Sequence, residues 1–321
     1  MTGSPPQHAG MTQIPFPPST LVPVGRVELE VHEAGRENGG PAVVLCHGFP
    51  ELAYSWRHQL PALVAAGYHV IVPTQRGYGR SSRPTDVEAY DVTRLTGDLV
   101  GLLDHLGIED ATFVGHDWGA MLVWWLALLH PQRVRSVVAL SVPYVERSDV
   151  PWVEAMATRF GDEHYFVHLD RRPGVADAVL DAGPARFLRN LYRTPPASPT
   201  PGMMLLDVAR DEHPRGEPVM SDADLAVYVD AFRRTGFTGA LSWYRNLDRD
   251  WHLLADVDPV VRQPALMVYG AQDTVARGQN LARYVPHVEE VTLDCGHWVQ
   301  QERPEEVTRL LLEWLGRQGV A

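Results

Sequence analysis

The sequence has no lysine. All 28 of its Lys and Arg positions are Arg. Schiff-base chemistry, a pyridoxal phosphate anchor and a Walker A phosphate loop each need a lysine, so all three are excluded together. Cysteine is nearly as scarce, with Cys46 and Cys295 alone present. Two cysteines make no disulfide framework, and a reducing cytoplasm is the expected setting. Each sits next to motif residues at the end of an expected strand, which fits a small apolar side chain. There is no His-Glu-x-x-His and no paired Cys-x-x-Cys, so neither a metal nor a cofactor is expected. No apolar run is long enough to cross a bilayer. The net charge of -12 argues against nucleic acid and anionic membrane surfaces as partners. Residues 1–20 lack the basic start and apolar core of a secretion signal. Rich in Pro, Ser and Gly, they are expected as a disordered arm.

What is present reads as strands alternating with helices. Ala42–Cys46 and Tyr68–Val72 are short continuous apolar runs, the pattern of strands buried on both faces. A helix is expected from Tyr54 to Ala66, ending at Gly67, and another from Val92 to Leu106, ending at Gly107. A strand at Ala111–Val114, a helix from Trp118 to His130 and a strand at Val134–Val142 continue the alternation. The pattern then stops and returns at Ala265–Tyr269, with a last strand at Val288–Leu293 and a closing helix at Glu305–Leu315. Such alternation means an α/β fold with a mostly parallel, doubly wound sheet. The expected organisation is a core of residues 21–142 and 251–321, interrupted by an inserted helical cap of residues 143–250. The cap would cover the carboxyl edge of the sheet, where open α/β sheets bind ligands.

Gly115-His116-Asp117-Trp118-Gly119-Ala120-Met121 lies between a strand and a helix, the setting of a nucleophile elbow. The small residues at 115, 119 and 120 allow the tight turn. Asp117 takes the place that serine occupies in most such elbows. A carboxylate attacking a carbonyl would leave a labile anhydride. It is better matched to a saturated carbon bearing a leaving group, where it forms an alkyl ester. An Asp that merely caps the following helix is the plainer alternative.

Hydrolysing that ester takes a base and an oriented water. His297 follows the last strand, and Asp273 follows the strand before it. The order nucleophile, acid, histidine is that of α/β-hydrolases, with Asp273 holding the imidazole that deprotonates water. The charge that develops on the carbonyl oxygen of Asp117 needs preorganised donors. Trp118 would give one backbone N–H, and Phe49, in His47-Gly48-Phe49-Pro50, the other. His47 and His116 are expected to brace loops. Phe49, Pro50, Trp118, Trp243 and Trp298 are candidates for an apolar pocket wall, and the many aromatic and apolar residues of the insertion, Trp152, Phe160, Phe166, Phe187, Met203, Met204 and Leu205 with Trp243, suggest a mainly hydrophobic pocket without fixing which of them line it.

With His47-Gly48-Phe49-Pro50-Glu51, Tyr54-Ser55-Trp56-Arg57, Gln75-Arg76-Gly77-Tyr78-Gly79-Arg80-Ser81-Ser82, the elbow and Gly296-His297-Trp298, the chain resembles epoxide hydrolases of the soluble and bacterial α/β-hydrolase-fold type. The similarity covers nearly everything after residue 24. Opening an epoxide makes an alkoxide, which needs a proton donor, and tyrosine with its pKa of about 10 stays protonated at neutral pH. The resemblance implies two cap tyrosines in that role. One is Tyr244, in Trp243-Tyr244-Arg245-Asn246. The other is Tyr165, upstream of Arg171-Arg172-Pro173-Gly174, where the family more often has Gln-Glu-Pro-Gly. The implied substrate is a small hydrophobic epoxide and the product a vicinal diol. A haloalkane or haloacid dehalogenase with the same nucleophile is the nearest alternative. A non-catalytic small-molecule-binding member of the fold is the alternative of another class. Monomer and homodimer both stay open.

Overall fold

The computed structural model describes residues 15–194, 205–274 and 280–318. Eight strands form one sheet: β1 (Ser19–Val24), β2 (Val27–Ala34), β3 (Ala42–Cys46), β4 (His69–Thr74), β5 (Ala111–His116), β6 (Val134–Leu140), β7 (Ala265–Gly270) and β8 (Val288–Leu293). Their spatial order is β1-β2-β4-β3-β5-β6-β7-β8. The first two strands and β4 pair antiparallel, and the rest of the sheet is parallel. The strand at Ser19 begins within the stretch expected as a loose arm. Alternation explains it, because Val22 and Val24 are buried while Leu21 and Pro23 face out.

Every residue of β3, β4, β5 and β7 is buried, as unbroken apolar runs demand when helices cover both faces. On the core side these helices are α1 (Leu60–Ala65), α2 (Val92–Leu106) and α3 (Trp118–Leu129). Asp91 caps α2 by accepting from the Arg94 N–H, and Gly107 ends it at φ 71°, the left-handed position that glycine takes without strain. The helix expected over Tyr54–Ala66 is split into a 3-10 turn at Ala53–Trp56 and α1. The reason is Pro61, which has no N–H to give a continuous helix and is tolerated only in a first turn, where it sits.

Between β6 and β7 the chain forms α4 (Trp152–Phe160), α5 (Tyr165–Arg171), α6 (Val175–Ala182), α7 (Pro184–Leu191), α8 (Leu205–Arg210), α9 (Asp222–Thr235), α10 (Thr238–Tyr244) and α11 (Leu247–Leu253). No strand interrupts them among the described residues. The Pro-rich stretch after Thr194, and Met203 and Met204 with it, lie outside the described residues. The insertion is fastened to the core by polar contacts. Trp243 Nε1 donates to the Arg76 carbonyl over 3.1 Å, Asn246 Nδ2 to that of Val87 over 2.6 Å, and Asp250 accepts the Val92 N–H over 2.7 Å. After β7 come α12 (Leu281–Tyr284), α13 (Val299–Glu302) and α14 (Pro304–Arg317). No helix among the described residues is long and apolar enough to cross a membrane.

Candidate active site

Asp117 sits between β5 and α3 at φ 53° and ψ −120°, a strained conformation for a residue with a Cβ. Its backbone carbonyl starts the helix by accepting from Ala120 and Met121, but its side chain makes no capping hydrogen bond. The plainer reading of a helix cap therefore fails. The turn is possible because Gly119 has no side chain: a Cβ there would lie 2.2 Å from the Cys46 carbonyl oxygen. Gly48 has the same relation to Asp117, since its Cβ would lie 2.5 Å from that of Asp117. The close approach lets the Phe49 N–H donate to Asp117 Oδ1 over 2.8 Å. Trp118 opens α3, so by position its N–H has no intrahelical acceptor. The positive end of the helix macrodipole faces the carboxylate.

His297 Nε2 lies 3.5 Å from Asp117 Oδ2, and Nδ1 lies 2.9 Å from Asp273 Oδ2. Side-chain exposure is 18 % for Asp117, 23 % for His297 and 5 % for Asp273. Asp117 can therefore be reached, while Asp273 is shielded behind the ring. Burial alone would make His297 harder to protonate, but the carboxylates of Asp273 and Asp117 outweigh it and hold the imidazole well above its ordinary pKa.

Ser141 and Glu302, to which the sequence reading gave no role, and His116, expected to brace a loop, fix this histidine. The His297 carbonyl accepts from Ser141 Oγ over 2.6 Å and from His116 Nε2 over 2.8 Å. The amides on either side, of Gly296 and Trp298, donate to the two oxygens of Glu302 over 2.9 and 3.0 Å. His116 Nδ1 meets Glu51 over 2.7 Å, both side chains fully buried. Glu51 also accepts from the Gly48 N–H and from Gln300. Burial would raise its carboxyl, but His116 and the Gly48 amide hold it at about 2. One carboxylate thus joins the Phe49 loop to the His297 loop. His47 is a brace of another kind. Burial drops its pKa to about 4, and the neutral ring accepts from the Gln75 N–H while Nδ1 meets the Gly48 carbonyl.

The two expected tyrosines come together over the elbow. The rings of Tyr165, from α5, and Tyr244, from α10, have centroids 5.9 Å apart. Tyr244 stands edge-on to Trp118 at 4.7 Å and to Phe49 at 5.3 Å. Burial and then the charge of Asp117 push both hydroxyls above their ordinary pKa, so both stay protonated. Trp298 lines up with Tyr192 at 4.5 Å, and the Pro50 carbonyl accepts from the Tyr192 hydroxyl. One expectation for the pocket wall needs correction. Trp243 is sealed at 1 % exposure, its indole tied to Arg76 and its ring edge-on to Tyr78 and Trp118. It supports the wall from behind. Phe160 is 53 % exposed and stacks on His164 at the outer surface. Its apolar character alone gave no direction. Among the described residues no group of His, Cys, Asp and Glu is arranged to hold a metal ion.

The family model for the alpha/beta hydrolase fold matches residues 41–304. Epoxide hydrolase A of Mycobacterium tuberculosis is 48 % identical over 314 residues, covering 93 % of this chain and 97 % of that one. Bifunctional epoxide hydrolase 2 of Rattus norvegicus is 37 % identical over 86 % of this chain, which spans 52 % of the length of that relative. Among solved structures, epoxide hydrolase A from Mycobacterium thermoresistibile superposes with a TM-score of 0.86 at 46 % identity, covering 94 % of this chain and 98 % of the other. Epoxide hydrolase VrEH1 from Vigna radiata gives 0.84 at 32 % identity, covering 97 % and 100 %. The chain belongs to the epoxide hydrolases of the alpha/beta hydrolase fold.

Proposed function

We propose that this chain converts a small hydrophobic epoxide to a vicinal diol through an ester on Asp117. The pair of Tyr165 and Tyr244, with ring centroids 5.9 Å apart and hydroxyls kept protonated by burial and by the Asp117 charge, carries this reading. A halide leaves as an anion and needs no proton, whereas an epoxide oxygen does. Asp117 Oδ1 is held by Phe49, which leaves Oδ2 to attack one epoxide carbon. As that C–O bond breaks, the tyrosines donate to the oxygen, and the hydroxyalkyl ester remains on Oδ2.

His297, oriented by Asp273, then takes a proton from a water that attacks Cγ of the ester. Phe49 and Trp118 N–H groups stabilise the oxyanion on Oδ1. The tetrahedral adduct collapses by breaking Cγ–Oδ2 while His297 returns its proton to Oδ2, so the diol leaves with Oδ2, the water oxygen stays on Asp117, and the carboxyl proton of Asp117 passes back to the tyrosine that donated. The core of residues 21–142 and 251–321 supplies the nucleophile, base and oxyanion donors. The insertion of residues 143–250 supplies the acid and acts as the cap.

The test is one turnover in 18O-labelled water. The first diol is unlabelled, and the heavy oxygen appears in the peptide containing Asp117. His297→Gln accumulates the ester as added mass on the intact protein. A labelled first diol would mean direct attack by water and would remove Asp117 as nucleophile.

A further inference from the structure

The two tyrosines stand on separate helices, α5 and α10, so something must set their separation. Arg245, directly after Tyr244, reaches back across the insertion. Its Nε donates to the Leu169 carbonyl over 3.3 Å. That carbonyl is among the last of α5 and has no partner along its own helix. Its Nη2 pairs with Asp177 Oδ2 of α6, with side-chain exposures of 7 % and 11 %. The same Asp177 oxygen accepts from the Gly174 N–H over 3.2 Å, in the turn that leaves α5. Burial would raise the Asp177 carboxyl, but hydrogen bonds from Arg245 and Thr238 hold it below its ordinary value.

The other end of α10 is held by the same helix. Asp181 accepts the Phe237 N–H over 2.9 Å, the residue before Thr238. Residues four apart share one face of a helix, so Asp177 and Asp181 present a two-point rack on α6. Asp181 takes the start of α10 at Phe237, while Asp177 takes its end at Arg245 and also its first residue, Thr238. Among the described residues, the hydrogen-bonded link from α10 to α5 is at the Arg245 end, beside the ring contacts of Tyr244 with Tyr165 and Phe166.

We propose that Arg245, paired with Asp177, is a positioning residue that fixes the spacing of the Tyr165 and Tyr244 hydroxyls. The inference rests on both tyrosines being the proton donors. A planar guanidinium can serve the Leu169 carbonyl and the Asp177 carboxylate at once, each in a fixed direction, which a point charge on a flexible stem does less well. Loosening it leaves Asp117, His297 and the Phe49 loop untouched, since none of these is among its partners. The step that suffers is epoxide opening, and the ester hydrolysis that follows is spared.

The experiment is pre-steady-state kinetics on the full chain with a styrene-type epoxide, following ester formation and ester hydrolysis separately. The variants are Arg245→Met, Arg245→Lys, Asp177→Asn and the double variant, with Tyr244→Phe as reference. Arg245→Met and Asp177→Asn are each expected to slow ester formation about 10- to 100-fold, the scale on which a misplaced catalytic group acts. Hydrolysis stays within about twofold. The double variant falls no further than the worse single one, because both remove one link, and Arg245→Lys recovers part of the rate. Asp177→Asn keeps an acceptor for Gly174 and so guards against loss of the fold.

If Tyr244→Phe slows opening while the Arg245 and Asp177 variants do not, the positioning role is overturned and the donor role stands. If Tyr244→Phe leaves opening unchanged, the donor role itself fails. Equal slowing of both steps in the Arg245 variants, with a lowered Tm, would reduce the link to ordinary structural support and overturn the inference.

Discussion

The backbone N–H of Phe49 donates to Oδ1 of Asp117 over 2.8 Å, while Oδ2 of the same carboxylate faces His297 Nε2 at 3.5 Å. The two oxygens are therefore not equivalent. One is already in the place of a stabilised oxyanion and the other is free to form a bond. The arrangement is built by the backbone, because the 48–49 peptide must pass almost against the Asp117 side chain.

Gly48→Ala tests that directly. The added Cβ would lie 2.6 Å from Oδ1 and 2.7 Å from the His116 carbonyl oxygen, so the loop must retreat and take the Phe49 N–H with it. Losing one oxyanion donor costs about 100- to 1000-fold in kcat. The loss is expected in ester hydrolysis, where the oxyanion forms, and is read as accumulated ester by intact mass. A variant that folds, by circular dichroism, and turns over normally would show that Phe49 is dispensable.

The electrostatics of His297 give a pH prediction. A protonated imidazole cannot take a proton from water, yet Asp273 and Asp117 both favour the protonated form. Esterification abolishes the charge of Asp117, and with it one of the causes that raise the pKa. The base is thus released in the state that needs it. Asp117→Asn imitates the loss of charge. In histidine-labelled protein, the His297 titration should move to lower pH in Asp117→Asn. It should move further in Asp273→Asn, since Asp273 contributes the larger share. On this sign, ester hydrolysis is lost as pH falls through the lowered value and is retained above it. An unchanged His297 titration in Asp117→Asn would refute the coupling.

Much of this site could be read in the chain because its constraints are local. Asp117 announces itself through an apolar strand before it, glycines at 115 and 119 and an apolar helix behind it, all within a dozen residues. Asp273 is legible because it comes just after the apolar strand Ala265–Gly270, and His297 because it comes just after the last strand, although only Leu293 of Val288–Leu293 is buried. The supports of His297 are different. Ser141 reaches it across 156 positions and His116 across 181, and no spacing rule connects them. Glu51 was visible inside the His47–Glu51 motif, but its partner Gln300 is 249 residues away. Trp243 was misjudged for a related reason. Periodicity says that an aromatic is buried, not which side of a wall it occupies. The split of the Tyr54–Ala66 helix was open to sequence, because Pro61 stood in plain view.

Glu302 is the exception among these supports, being only six residues from Gly296. Its carboxylate takes the N–H groups on both sides of His297, so it acts as a clip on the loop that carries the base. A carboxylate can accept with both oxygens, whereas an amide has one acceptor and one donor. Glu302→Gln therefore leaves one of the two backbone N–H groups facing a donor. An unsatisfied group of this kind costs about 1–3 kcal/mol when buried, and the loop is expected to shift to relieve it. Asp117 and the two tyrosines are not held by Glu302. Ester formation should stay within about twofold, while hydrolysis, which needs His297 within hydrogen-bond reach of the attacking water, should slow by about tenfold or more. Steady-state turnover then leaves a visible fraction of the protein as ester, and raising the pH does not restore it, because the defect is one of position and not of protonation. If both steps slow together, or if high pH rescues hydrolysis, Glu302 does not act as a clip on the His297 loop.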